Sequence, residues 1–241
     1  MEKIYLFYMV MGFCLGSILF AYEIPRMVKH VDIRQISEDG NPGTFNAFAA
    51  AGVGWGILVL LAELLKGFFP VYLCSKRAGQ DSLLFAGVLA APVFGHAFSI
   101  FHKGKGGKGI AATSGIAIGL LDWRVALIEL GLFVFCVVVT KYVSVGSICL
   151  VLGLMVSYTI FAYTGSYGFT SDSMKLESCI VLGLITLLAI YRHKQNIVRL
   201  IKGTENKFSL KDKSKTKEEQ AKMVNAFNQK LDTYEAWNSL F

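Results

Sequence analysis

Apolar residues run along this chain in long blocks separated by short polar intervals. Blocks near residues 4–22, 54–75, 82–100, 110–122, 124–141, 145–164 and 176–192 approach the roughly 20 residues a helix needs to cross a hydrocarbon core. The fourth block is short and Gly-rich, so a tilted or incomplete crossing is expected there. It is parted from the fifth only by Asp122, Trp123 and Arg124, a tight hairpin. None of the blocks alternates with period two, which excludes a membrane barrel. The first block has only Lys3 as a basic lead and no small-x-small cleavage site before Glu23, so it reads as a helix and not as a signal peptide. The pattern predicts an all-α polytopic membrane protein, about seven transmembrane helices spanning residues 1–208. A polar tail, 209–241, follows. In it Val224, Phe227, Leu231, Tyr234 and Trp237 recur at steps of three or four, the spacing of an amphipathic helix lying on a membrane or against the loops.

Composition agrees. Of 241 residues 54% are hydrophobic and 17% charged, against about 25% charged in a soluble domain. Mean hydropathy is +0.52. Disorder over most of the chain and a disulfide-rich secreted scaffold are excluded. The five cysteines (Cys14, Cys74, Cys136, Cys149, Cys179) lie in or beside apolar blocks without a CxxC pair, and read as small core residues.

The net charge of +7 is unevenly placed. With seven crossings, one membrane side carries the segments 22–53, 101–109, 141–144 and everything after 191. Before the tail these hold twelve basic residues, against five on the other side. The positive-inside rule then puts the C-terminus in the cytoplasm and the N-terminus outside. The same segments are rich in Gly, Asn, His and Ser, so the candidate chemistry gathers on one face.

Four motifs lie there. Gly104-Lys105-Gly106-Gly107-Lys108-Gly109 directly precedes an apolar block: glycines let a backbone approach an anion, successive amides form a nest, and two lysines add charge. It is not a Walker A loop, because Lys108 is followed by Gly109 and Ile110. A basic loop touching lipid head groups would have the same composition. Asp39-Gly40-Asn41-Pro42-Gly43-Thr44-Phe45-Asn46 has the residues of an ordinary turn. His96 precedes the Gly/Lys loop. In Tyr191-Arg192-His193-Lys194-Gln195-Asn196, His193 and Asn196 share a helix face. Arg192 and Lys194 suit a basic membrane anchor, which explains His193 and Asn196 less well. Inside the second block Glu63 and Lys66 stand at i and i+3, the spacing of a structural ion pair. No nucleotide motif or metal-ligand cluster appears, so neither cofactor nor metal is implied, and nothing suggests nucleic acid.

Taken together, these segments resemble the bacterial acyl-phosphate:glycerol-3-phosphate acyltransferase family (PlsY-type) over nearly all of residues 12–208. The resemblance is carried by Leu15-Gly16-Ser17-Ile18, Asp32-Ile33-Arg34, Gly40-Asn41-x-Gly43-x-x-Asn46, Leu65-Lys66-Gly67 with Pro70, and Gly95-His96 with Lys105-Gly106-Gly107-Lys108-Gly109 and Ala112-Thr113. Tyr142-Val143-Ser144 with Ser147, Tyr191-Arg192-His193 with Asn196-Ile197 and Arg199-Leu200, and Gly203-Thr204-Glu205 complete it. It implies a multi-pass protein of the bacterial cytoplasmic membrane that moves a fatty acyl group from acyl phosphate to the 1-hydroxyl of glycerol 3-phosphate, giving lysophosphatidic acid and phosphate. Its partners would be those two substrates and membrane lipid. By resemblance His193, Asn196 and Ser144 are the catalytic positions. Asn41, Gly43, Asn46, His96, Lys105, Gly106, Gly107, Lys108 and Gly109 are the phosphate- or substrate-binding ones. The chain departs from the family pattern at Asp39 (Ser), Ala49 (Arg), Gln195 (Glu) and Ser99 (Pro). Losing an arginine removes a phosphate fork, which Arg34 or Lys103 could replace. A less anionic acceptor, or a non-catalytic homologue that binds acyl phosphate, are the alternatives. A transporter ranks last, because no internal repeat is visible.

Overall fold

The structure is a computed structural model that describes residues 2–37, 40–80, 82–120, 123–164 and 172–208. Asp39, the centre of the hairpin at Asp122 and the tail 209–241 lie outside the described residues. Every regular element among the described residues is helical: α1 (Glu2–Ser17), α2 (Phe20–Lys29), α3 (Ile33–Ile36), α4 (Thr44–Ala51), α5 (Val53–Ala78), α6 (Leu83–Ala97), α7 (Ile110–Leu120), α8 (Trp123–Thr140), α9 (Val143–Tyr163), α10 (Asp172–Arg192) and α11 (Lys194–Ile201), with a 3-10 turn at Ile100–His102.

Three of the apolar segments are long enough to cross a membrane by themselves: α5, α6 with its 3-10 turn, and α9. The count becomes five if the bent pairs α1–α2 and α10–α11 each form one crossing; α7 and α8 are shorter apolar helices. The uniformly apolar block 4–22 is not one helix. It stops at Ser17 and resumes at Phe20, bent by 41°.

Such a break frees backbone groups that water cannot reach in an apolar surrounding. Side chains from two other helices meet them. Lys66 Nζ donates to Gly16 O (3.1 Å) and Ile18 O (2.7 Å). Ser99 Oγ donates to Ser17 O (2.5 Å), and Ala21 N donates to Glu63 Oε1 (3.1 Å). Glu63 and Lys66 are themselves an ion pair at 2.7 Å, each about 1% exposed.

The core lies between α1, α5, α6, α7, α9 and α10, around Tyr8, Phe85, Leu89, Ile116, Tyr158 and Ile185. Two glycines set its tightness. A Cβ on Gly67 of α5 would stand 2.0 Å from Ala112 O of α7, and one on Gly16 would stand 2.2 Å from Pro92 O of α6. The helices therefore pack backbone against backbone, the close approach small residues allow in membranes. Helix α8 leans on α9, while Ile128, Phe135 and Val139 point outward, as do Leu58 and Leu61 of α5. These apolar faces suit lipid.

Gly67→Ala is expected to lower stability by about 2 kcal/mol or more, because α5 and α7 must separate to admit a methyl group. Gly54→Ala, in the same helix with nothing within 4 Å of the added carbon, should change it by less than about 1 kcal/mol. Unfolding in detergent checks the pair.

Candidate active site

The polar residues at the helix ends fall into three connected groups. The first surrounds His96 at the end of α6. Lys66 Nζ, which donates to Gly16 O and Ile18 O and pairs with Glu63, also lies 2.8 Å from His96 Nδ1, and Glu63 Oε2 lies 3.2 Å from the same nitrogen. The other ring nitrogen of His96, Nε2, points to the Gly/Lys loop. That nitrogen faces Gly107, whose added Cβ would stand 2.3 Å away. Gly107 N donates to His96 O (3.1 Å), and a Cβ on Gly106 would stand 1.8 Å from the same carbonyl. The Gly/Lys loop thus folds back on the end of α6 where only glycine fits. Gly109 turns the chain into α7 at φ 78°, and Gly109 O accepts from Thr113. Lys105 is exposed.

The second group surrounds Asn196. Lys108 Nζ donates to Asn196 Oδ1 (2.6 Å), and Asn196 Nδ2 donates to Glu205 Oε1 (2.7 Å). Arg199 Nε pairs with Glu205 Oε2 (2.7 Å). The buried Ser144 hydroxyl at the start of α9 lies against the Glu205 carboxylate without the full geometry of a hydrogen bond. Burial alone would raise the pKa of Glu205. The hydrogen bonds from Asn196 and Arg199, the adjacent Ser144 hydroxyl and the Arg199 charge outweigh it and hold the pKa below the ordinary glutamate value. His193 is buried one turn before Asn196, and its Nδ1 donates to Ala189 O (2.7 Å). A carbonyl only accepts, so in the neutral ring Nε2 is the basic nitrogen. Arg192 binds Ala97 O and covers the Phe98 ring (4.9 Å), tying α10 to the end of α6.

The third group holds the start of α4. Asn46 Nδ2 and Gly43 N both donate to Asn41 O (2.8 Å each), which closes the turn before Thr44. Ala49 is exposed on α4, and Gln195 is exposed on α11. Arg34 is engaged within its own turn and with α2. Its guanidinium forks onto Asp32 (2.8 and 3.0 Å), donates to the Tyr22 hydroxyl (2.9 Å) and lies 4.0 Å over the Tyr22 ring. Burial works against the Asp32 carboxylate, but the bonds and charge of Arg34 prevail and hold its pKa low. Lys103 is exposed, in the left-handed region at φ 54°. Ser99 does what a proline could not: its hydroxyl caps the Ser17 carbonyl.

A strap after α11 links the second and third groups. Three residues beyond Glu205, Phe208 N donates to Lys141 O (2.6 Å), and the Phe208 ring meets Phe45 of α4 edge-on (5.8 Å). Glu205 was visible in the sequence only as the end of a Gly-x-Glu motif. Its place at the junction of Asn196, Arg199 and Ser144 depends on that fold-back.

The chain has extensive likeness to known proteins. The glycerol-3-phosphate acyltransferase family model matches residues 6–203. A glycerol-3-phosphate acyltransferase of Endomicrobium trichonymphae is 39% identical over 84% of this chain and 95% of its own length. A glycerol-3-phosphate acyltransferase 2 of Thermotoga maritima is 36% identical over 83% and 95%. Among solved structures, PlsY (YgiH), described as an integral membrane glycerol 3-phosphate acyltransferase, is 32% identical in its glycerol 3-phosphate form. The TM-score is 0.74, covering 85% of this chain and 96% of that one. Its lysophosphatidic acid form gives a TM-score of 0.72 at 31% identity.

Because the Glu205 pKa is lowered on folding, its contribution to holding the strap is present above the ordinary value of 4.5 and is lost as pH falls through the lower folded value. Protection of residues 203–208 against hydrogen exchange, corrected for intrinsic rates, should therefore fall on acidification in the parent, and should be low and independent of acid in Glu205→Gln.

Proposed function

The chain belongs to the glycerol-3-phosphate acyltransferase family, and from that premise we propose that it transfers a fatty acyl group from acyl phosphate to the 1-hydroxyl of glycerol 3-phosphate. The products are lysophosphatidic acid and inorganic phosphate, made at the cytoplasmic face of a bacterial plasma membrane. In this reading α7 and α8 each cross as well, giving seven crossings with the N-terminus outside and the polar helix ends inside. The observation that carries the reading is the contact of Lys108 with Asn196 one turn from His193, which unites the Gly/Lys loop with the last motif.

The chemistry asks little beyond positioning. Acyl phosphate is a mixed anhydride with a good leaving group, so holding both reactants and stabilising an oxyanion covers most of the barrier. Loop amides and Lys108 receive phosphate oxygens, with His96 beside them. The basic Nε2 of His193 accepts the proton of the attacking hydroxyl. The new ester bond forms as the carbonyl–phosphate bond breaks, and the proton finishes on the departing phosphate. Asn196, held by Glu205, and Ser144 orient polar atoms at the reacting centre. Asn41, Gly43 and Asn46 shape the acceptor side. A second reading, a less anionic acceptor, is favoured by one feature: position 49 is Ala, and Arg34 is engaged with Asp32.

The test is acyl transfer by the full chain in lipid vesicles, with labelled glycerol 3-phosphate and either palmitoyl phosphate or palmitoyl-CoA. Lysophosphatidic acid should form from acyl phosphate only. Formation from the thioester alone, or no product, would contradict the proposal; acylation of glycerol but not glycerol 3-phosphate would establish the second reading. His193→Ala should lower kcat about a hundredfold or more. Lys108→Ala should raise the KM for acyl phosphate about 10- to 100-fold, the worth of a hydrogen bond to a charged group.

A further inference from the structure

The 3-10 turn Ile100–His102 joins the end of α6 to the Gly/Lys loop, and it carries a polar chain that acyl transfer does not use. Ser99 Oγ lies 2.5 Å from Ser17 O and 2.9 Å from His102 Nδ1, while His102 Nε2 lies 3.0 Å from Glu23 Oε1. A hydroxyl has one proton, and Ser99 spends it on the Ser17 carbonyl, which can only accept. His102 Nδ1 must then donate to Ser99 Oγ. The Glu23 carboxylate also only accepts, so Nε2 donates as well. With both ring nitrogens donating, the ring is an imidazolium; neutral His102 keeps one bond of the two.

We propose that His102 is a positioning residue whose imidazolium, held between Ser99 and Glu23, latches the root of the phosphate loop onto α2. The proposal rests on the acyltransferase reading for its catalytic consequence, but the latch itself does not. The loop hangs from this point: His102 N and Gly104 N donate to Ser99 O (3.2 and 2.8 Å), and Lys105 N donates to His102 O (3.0 Å). Two successive left-handed residues, Lys103 and Gly104, follow as a hinge.

The groups facing His102 are accounted for. From α2 come Glu23 and the edge-on Tyr22 ring (5.1 Å), and from α1 the Ser17 carbonyl that Ser99 caps. Arg26 and Arg34 are directed at the Tyr22 hydroxyl, and Asp32 is spent on Arg34. Lys103 adjoins His102 along the chain. Among the described residues Glu23 is thus the counter-charge of His102.

The test is hydrogen exchange of residues 102–107 in the full chain in lipid nanodiscs, corrected for intrinsic rates, with α6 as internal reference. His102→Gln and Glu23→Gln should each lower protection about tenfold against the parent, the worth of one hydrogen bond to a charged group. His102→Lys, which keeps a cation against Glu23, should recover it. Protection unchanged in both Gln variants would overturn the latch. In the acyl-transfer assay the KM for acyl phosphate should rise about tenfold in both Gln variants, with kcat changed less than about twofold. Absent turnover counts against the acyltransferase reading, while the exchange data still decide the latch.

Discussion

A membrane helix that breaks must find new partners for its backbone, and this requirement organises the end of the bundle where the polar motifs gather. The chain leaves the helical ladder between Ser17 and Phe20, freeing the carbonyls of Gly16, Ser17 and Ile18 and the amide of Ala21. Each such group left bare in an apolar surrounding costs several kcal/mol. Lys66, Ser99 and Glu63 satisfy them from two other helices. Burying an ion pair for its own sake seldom stabilises a fold. Here the pair is kept because its hydrogen bonds complete a backbone. The break sends α2 off at an angle to α1, and α3 and α4 follow from it.

The same ion pair holds His96. Lys66 Nζ and the Glu63 carboxylate both meet His96 Nδ1, which aims Nε2 at the Gly/Lys loop. His193 is anchored through Nδ1 to Ala189 O. Lys108 bridges the two regions through Asn196, and Glu205 holds that amide in turn. The strap continues to Phe208, which closes on Phe45 of α4, so the acceptor motif and the last motif are held by one segment.

Much of this was legible in the sequence, for physical reasons. Apolar blocks of the right length marked the helices, and glycines beside lysines marked the loop that folds back on the end of α6. The Glu63–Lys66 pair followed from i, i+3 spacing. Other features were hidden. The block 4–22 is apolar throughout, and its break becomes visible only with partners 42 to 82 residues away. The fork of Arg34 onto Asp32 and its bond to Tyr22 were not visible in the spacing. Glu205 and His102 draw their importance from contacts 9 and 79 residues off, which no local pattern encodes.

The most direct test of the claim that the buried pair completes a broken helix is the stability of Glu63→Leu, Lys66→Met and the two combined, measured by unfolding in detergent. Each single change should cost about 3–5 kcal/mol, since it strands a buried charge. For an ordinary buried ion pair, apolar replacement of both partners is often neutral or stabilising. Here the combined variant should stay at least about 2 kcal/mol below the parent, because Gly16 O, Ile18 O and the Ala21 amide lose their partners. A combined variant as stable as the parent would contradict the claim.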